Sequence, residues 1–316
     1  MSERPRLHFH LPSAALLLIL AALLAGCGSS TSGASAGGVV AAVGAENEYA
    51  NVIEQIGGRY VKVTAIESNP NTDPHTFEAS PSVAQAVSAA RLVVQNGVGY
   101  DTYMERIESA SGGVGSNSSR TVIDVQKLLG LPDSTPNPHL WYKPQTMPAV
   151  AHAVAGALSR LQPVHAAYFQ ANVAAFERSL KPWHEAIARF AREFPDTPVA
   201  STEPVGDYML EAAGTHNLTP FGLQADIMNG VDPAPQDVTL QKGLFSGHRV
   251  KVFVYNQQVT DALTASFLEA AKHAGVPVVG VYETMPVPGY DYQSWMLAEV
   301  QALRRAVAEK TSTQRL

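Results

Sequence analysis

Between Gln145 and Phe194 the sequence keeps a helical pattern almost throughout, broken only near Gln162-Pro163. The second half, His165–Phe194, places Phe169, Val173, Phe176, Leu180, Ile187 and Phe190 at helical spacing. At 1.5 Å per residue such a helix is roughly 45 Å long, more than one ordinary domain accommodates. Pro182 lies inside it and is expected to kink it. On both sides of this stretch, short β-rich runs alternate with helical ones. Val39–Val43, Tyr60–Ile66, Leu92–Gln95 and Thr121–Val125 read as strands before it, and Pro198–Thr202, Val250–Tyr255 and Val276–Tyr282 after it. Glu46–Ile56 reads as a helix stopped by Gly57-Gly58, and Ser80-Pro81 as the start of another. The Ser- and Gly-rich segment from Glu108 to Arg120 reads as a surface loop. The fold class is therefore α/β, with two blocks of parallel sheet covered by helices and one long helix between them.

Ahead of the first strand, Arg4 and Arg6 precede the apolar run Ala14–Ala25, 12 residues long. That is short of the ~20 residues a membrane span needs and matches the apolar core of a signal peptide. The run ends in Leu24-Ala25-Gly26-Cys27, which resembles a bacterial lipobox and implies cleavage before Cys27 and lipid attachment to its thiol. Small polar residues follow, as a flexible tether requires. The expected organisation is signal peptide 1–26, lipid-anchored tether 27–38, first lobe 39–164, linking helix 165–195 and second lobe 196–316. The location is then the outer face of the cell membrane, held by acyl chains.

Cys27 is the single cysteine, which excludes an internal disulfide and any multi-cysteine zinc or iron–sulfur site. Metal chemistry has to draw on the ten histidines and the carboxylates. A net charge of -6 with no Lys/Arg block argues against nucleic acid.

Two segments match each other. Asp73-Pro74-His75 and Asn137-Pro138-His139 each present a histidine from a backbone that proline stiffens. In the second block, Glu203 and Glu283 each come directly after an expected strand, where open α/β sheets bind their ligands. Two neutral imidazoles and two carboxylates would make a neutral four-ligand cage for a divalent cation, suited to zinc or manganese. His152, His165, His184, His216, His248 and His273 read as bystanders. Tyr100, Trp141 and Tyr208 are candidates to line the cleft, and Glu78 to hold the second nitrogen of an imidazole.

These pieces carry a resemblance to a known family. Gln55-Ile56-Gly57-Gly58, Asp73 to Glu78, Gln95-Asn96-Gly97-Val98-Gly99-Tyr100-Asp101, Asn137 to Trp141 and Tyr168 to Asn172 occur in an order that resembles the metal-binding solute-binding proteins of zinc and manganese ABC transporters, the cluster A-I group. The resemblance implies two Rossmann-like lobes joined by one rigid helix, with metal between them. It implies His75, His139, Glu203 and Glu283 as the four ligands. Zinc-type members commonly have histidine where this chain has Glu203, and members of both types usually have aspartate where it has Glu283. Asp291 and Asp226 stand as alternatives for the fourth ligand. The His-rich acidic loop of many zinc members is missing.

The resemblance implies a lipoprotein, not an enzyme, that captures Mn²⁺ or Zn²⁺, or Fe²⁺, outside the membrane and passes it to an ABC permease, acting as a monomer. The competing reading is a metal-dependent hydrolase with a His/His/Glu site and the second glutamate as base. The chain has no His-Glu-x-x-His helix.

Overall fold

The computed structural model describes Met1, residues 38–110 and residues 120–316. The expected leader, Cys27 and nearly all of the tether lie outside the described residues, as do positions 111–119 of the Ser/Gly-rich segment. Two four-stranded sheets, parallel throughout, organise the chain. The first holds β1 (Val40–Glu46), β2 (Val61–Glu67), β3 (Leu92–Gln95) and β4 (Thr121–Asp124) in the order β2-β1-β3-β4. The second holds β5 (Thr197–Ser201), β6 (Thr215–Asn217), β7 (Val252–Asn256) and β8 (Val278–Val281) in the order β6-β5-β7-β8. Runs such as Leu92-Val93-Val94 and Val252-Phe253-Val254-Tyr255 form strands because helices cover both faces, so every residue is buried and no alternation is needed.

Between the sheets runs the helix Ala166–Glu193, 28 residues and therefore about 42 Å long, continuous through Pro182. The expected stripe is buried along it, joined by Trp183. Seven large side chains recurring every three or four residues give it an apolar face that needs covering along its whole length. Helices Asn47–Gly57 and Thr146–Leu161 from the first half and Tyr292–Glu309 from the second supply that cover. One continuous core results, running from Tyr49 and Ile53 through Phe169 and Phe190 to Trp295 and Leu303. Helix Asn47–Gly57 stops where expected. Gly58 takes φ +51°, and a Cβ there would stand 2.1 Å from the Tyr168 hydroxyl, so a side chain is strained and crowded alike.

The structure departs from the sequence reading in several places, among them β1, which runs three residues past the expected Val43 to Glu46. β6 was not expected, and its Thr215-His216-Asn217 is too short and polar to signal a strand. Glu108–Ala110 belongs to the helix Thr102–Ala110 instead of a loop. β5 and β8 end one residue early, so Glu203 and Glu283 stand two residues beyond their strands. At the outer side of β8 the C-terminal segment adds a short parallel bridge. Thr313 N–H donates to Val278 O at 2.8 Å, and Gly280 N–H to Thr313 O at 2.8 Å.

Candidate metal centre

Both Asx-Pro-His segments fold as the same turn. The Asp73 carboxylate accepts the His75 backbone N–H at 2.8 Å, and the Asn137 amide oxygen accepts that of His139 at 3.0 Å. Asn137 does more. Its Nδ2 donates to Pro204 O at 2.7 Å, a group that only accepts, which fixes the amide orientation. Its oxygen therefore faces His139 Nδ1 at 2.8 Å, so Nδ1 carries a proton and Nε2 is the nitrogen that can give up its own to offer a metal its lone pair.

His75 Nε2 lies 3.1 Å and His139 Nε2 3.2 Å from the same oxygen, Glu283 Oε2. Two donors about 2.1 Å from one tetrahedral ion stand roughly 3.4 Å apart, so these three atoms are already near coordinating separation. His139 and Glu283 are shut away from solvent, and the His75 side chain is 22% exposed and forms the open side. The Tyr100 hydroxyl donates to Glu283 Oε2 at 2.9 Å. Trp141 packs edge-on to His139 at 5.4 Å between ring centres, and the Tyr208 hydroxyl holds Asn137 O at 2.9 Å.

Glu203 stands apart from this trio. Among the described residues the converging donor set is His75, His139 and Glu283. Glu203 is buried and joined to it through Asn256, whose Nδ2 donates to Glu203 Oε1 at 3.2 Å and to Glu283 Oε1 at 2.7 Å. Glu203 Oε2 is buried with no partner. Asp291 is committed to capping helix Tyr292–Glu309, its carboxylate accepting Ser294 N–H at 2.9 Å. Glu78 is exposed and lines a separate surface cleft with Arg106.

The protonation pattern follows from burial and from the Glu283 charge. Burial would raise Glu283, but the charges and hydrogen bonds of His75 and His139 overcome it and hold the carboxyl well below its usual range. Burial works against a charged His75, yet attraction to Glu283 leaves its pKa above the ordinary value. At His139 burial wins, and the pKa is lowered. Burial and then the repulsion of Glu283 push Glu203 well above the usual carboxylate range. Glu46 and Glu67, register partners at the ends of β1 and β2, are likewise driven well up by burial, with Asp101 next in effect. Glu283 is thus the carboxylate held ionised beside the histidines.

Polar residues to which the sequence reading gave no role hold the ligand loops. The Asp101 carboxylate accepts the N–H groups of Asn96 and Gly97 at 2.6 and 2.9 Å, closing the turn that brings Tyr100 to Glu283. Asn96 Nδ2 donates to Pro138 O at 2.8 Å and steadies the His139 segment. Gln258 spans the two halves. Its oxygen accepts Glu283 and Thr284 N–H at 2.7 and 2.8 Å, and its Nε2 donates to Thr72 O at 2.7 Å, in the loop that bears His75. Asn47 and the Met285 backbone exchange a second pair, at 2.9 and 3.0 Å. Asn256 was open to the logic that singled out Glu203 and Glu283, since it too is a polar residue at the carboxyl end of a strand.

Comparison with known proteins adds to this geometry. The sequence model of the family described as the periplasmic zinc-uptake complex component A, ZnuA, matches residues 43–306. The manganese-binding lipoprotein MntA of Bacillus subtilis (strain 168) is 26% identical over 266 residues, covering 83% of this chain and 85% of that protein. Among solved structures, the periplasmic zinc-binding protein TroA from Treponema pallidum superposes with a TM-score of 0.71 at 17% identity, over 87% of this chain and 100% of that one. FpvC from Pseudomonas aeruginosa in complex with Mn²⁺ gives 0.69 at 18% identity, over 86% and 100%. At these identities the structural likeness establishes the fold.

Proposed function

Because the chain belongs to the family of the periplasmic zinc-uptake component A, we propose that it is an extracytoplasmic receptor that binds one divalent transition metal and delivers it to an ABC importer permease. The observation that carries this is the convergence of His75 Nε2 and His139 Nε2 on a single oxygen of Glu283. Glu203, whose buried Oε2 has no partner, would be the fourth donor and would close the set as the ion arrives. Zn²⁺ and Mn²⁺ are the cargoes that the donor set and the relatives' names support, and Fe²⁺ suits the same donors. It is a binding protein in keeping with its family, and the hydrolase reading finds no support among the relatives. We infer further that residues 39–164 and 196–316 are the two lobes, joined by the helix within 165–195, and that Cys27 carries a lipid anchor on a monomer.

Titrating the metal-free protein with Zn²⁺ and with Mn²⁺ tests the reading. One ion should bind per chain, and His75→Ala should weaken binding by more than about a hundredfold while the melting temperature of the apo protein stays close to wild type. Undiminished metal content in that variant, measured by elemental analysis, would remove His75 from the site.

A further inference from the structure

The order of strands in the second sheet places β7 between β5 and β8. Asn256, the last residue of β7, is therefore flanked by Glu203 beyond β5 and Glu283 beyond β8. It is completely buried. Its amide nitrogen has two protons, and both are used, one on Glu283 Oε1 at 2.7 Å and one on Glu203 Oε1 at 3.2 Å. The amide cannot turn over, because its oxygen accepts Gln258 N–H at 3.0 Å. Nor can its backbone shift freely, since Asn256 N–H donates to Thr202 Oγ1 at 3.0 Å.

The result is a division of labour within each carboxylate. On Glu283, Oε1 faces the amide and Oε2 faces the two imidazoles and Tyr100. On Glu203, Oε1 faces the amide and Oε2 is left without a partner. A carboxylate that grips an ion with both oxygens must turn both toward it. The N–H bond to Oε1 holds each carboxylate turned with Oε1 toward the amide, so swinging that oxygen round to the ion costs a charge-assisted hydrogen bond.

We propose that Asn256 is a positioning residue that restricts both glutamates to one oxygen each, so that the centre offers two imidazole nitrogens and two oxygens and is built for a four-coordinate ion. That favours Zn²⁺, which takes tetrahedral nitrogen and oxygen ligands, over Mn²⁺, which prefers a larger, oxygen-rich set. The inference rests on the metal-receptor reading above and adds to it the residue that sets the choice of cargo.

X-ray absorption at the zinc edge of the loaded wild-type protein should show four nitrogen or oxygen neighbours at about 2.0 Å. Asn256→Ala should add a fifth as a carboxylate swings round to bind through both oxygens. In competition titrations the preference for Zn²⁺ over Mn²⁺ should fall by about tenfold or more in the variant, within the range that residues behind the ligands command. A wild-type coordination number of five or six overturns the proposal, and this measurement decides it even if the variant does not fold. An unchanged preference and coordination number in a folded Asn256→Ala protein also overturn it. If the wild type binds neither ion, the receptor reading itself fails and takes this inference with it, an outcome distinct from binding without selectivity.

Discussion

Asp73 and Asn137 make the same turn two residues ahead of a histidine, and their difference lies in one atom. The Asp73 carboxylate caps the backbone of His75, whereas Asn137 also accepts the Nδ1 proton of His139 while its amide nitrogen is held by Pro204. Asn137→Ala should therefore lower metal affinity by about 10- to 100-fold, the usual effect of removing a group behind a ligand histidine. Titration calorimetry on the folded variant checks this, and an unaltered affinity would mean that His139 needs no help to present Nε2. His75 and His139 were legible in the sequence because a preceding proline makes an unusual backbone that repeats. Asn256 and Gln258 were not, because their roles depend on which strands are neighbours, and the order β6-β5-β7-β8 is a tertiary fact.

Within the elements, the long helix was legible nearly to its ends, since Pro163 and the repeating stripe mark it, while β6 had no pattern to read. The helix Tyr292–Glu309 hides a feature that periodicity does not reveal. Glu299 is fully buried on it, its Oε1 accepting from Trp295 Nε1 at 3.0 Å and lying 3.4 Å from the Tyr142 hydroxyl oxygen. The Tyr142 hydroxyl donates to Tyr282 O at 2.9 Å, next to Glu283. Burial pushes the Glu299 carboxyl up to about 8 despite those bonds. The unfolded chain releases this proton near the ordinary value of about 4.3, so between there and about 8 the folded state binds more protons. The stabilising contribution is thus complete below the ordinary value and is lost as pH rises through about 8. Melting of the metal-free protein should fall progressively from about pH 4.5 to about pH 8, and Glu299→Gln, which cannot ionise, should flatten that fall. Parallel curves for the two proteins would rule out Glu299 as its source. Glu299→Gln leaves the four proposed ligands untouched, so the effect belongs to the helix and its packing.

At the scale of the whole molecule, the two sheets share one core through the long helix, and Asn47 and Gln258 bind the halves at their junction. The proposed metal site lies at that junction, with His75 toward solvent and His139 and Glu283 buried behind it. Under the anchor proposed above, holding that body at the membrane falls to Cys27, the one cysteine of the chain. Two acyl signals are needed for stable anchoring, so loss of the proposed attachment point should be decisive. Cys27→Ser should shift the protein from the membrane fraction to the soluble one on cell fractionation, and retention at the membrane would refute the anchor. Bringing many copies close together carries a hazard that the C-terminal segment counters. β8 ends its sheet, and a bare terminal strand is a template on which a second chain can pair and begin to aggregate. Thr313 already occupies the Val278 and Gly280 backbone groups, and only a glycine at 280 admits it, since a Cβ there would sit 1.9 Å from Gln314 O. The C-terminal segment thus acts as a stand-in neighbour, closing the Val278 and Gly280 backbone groups to pairing with a second copy of the chain.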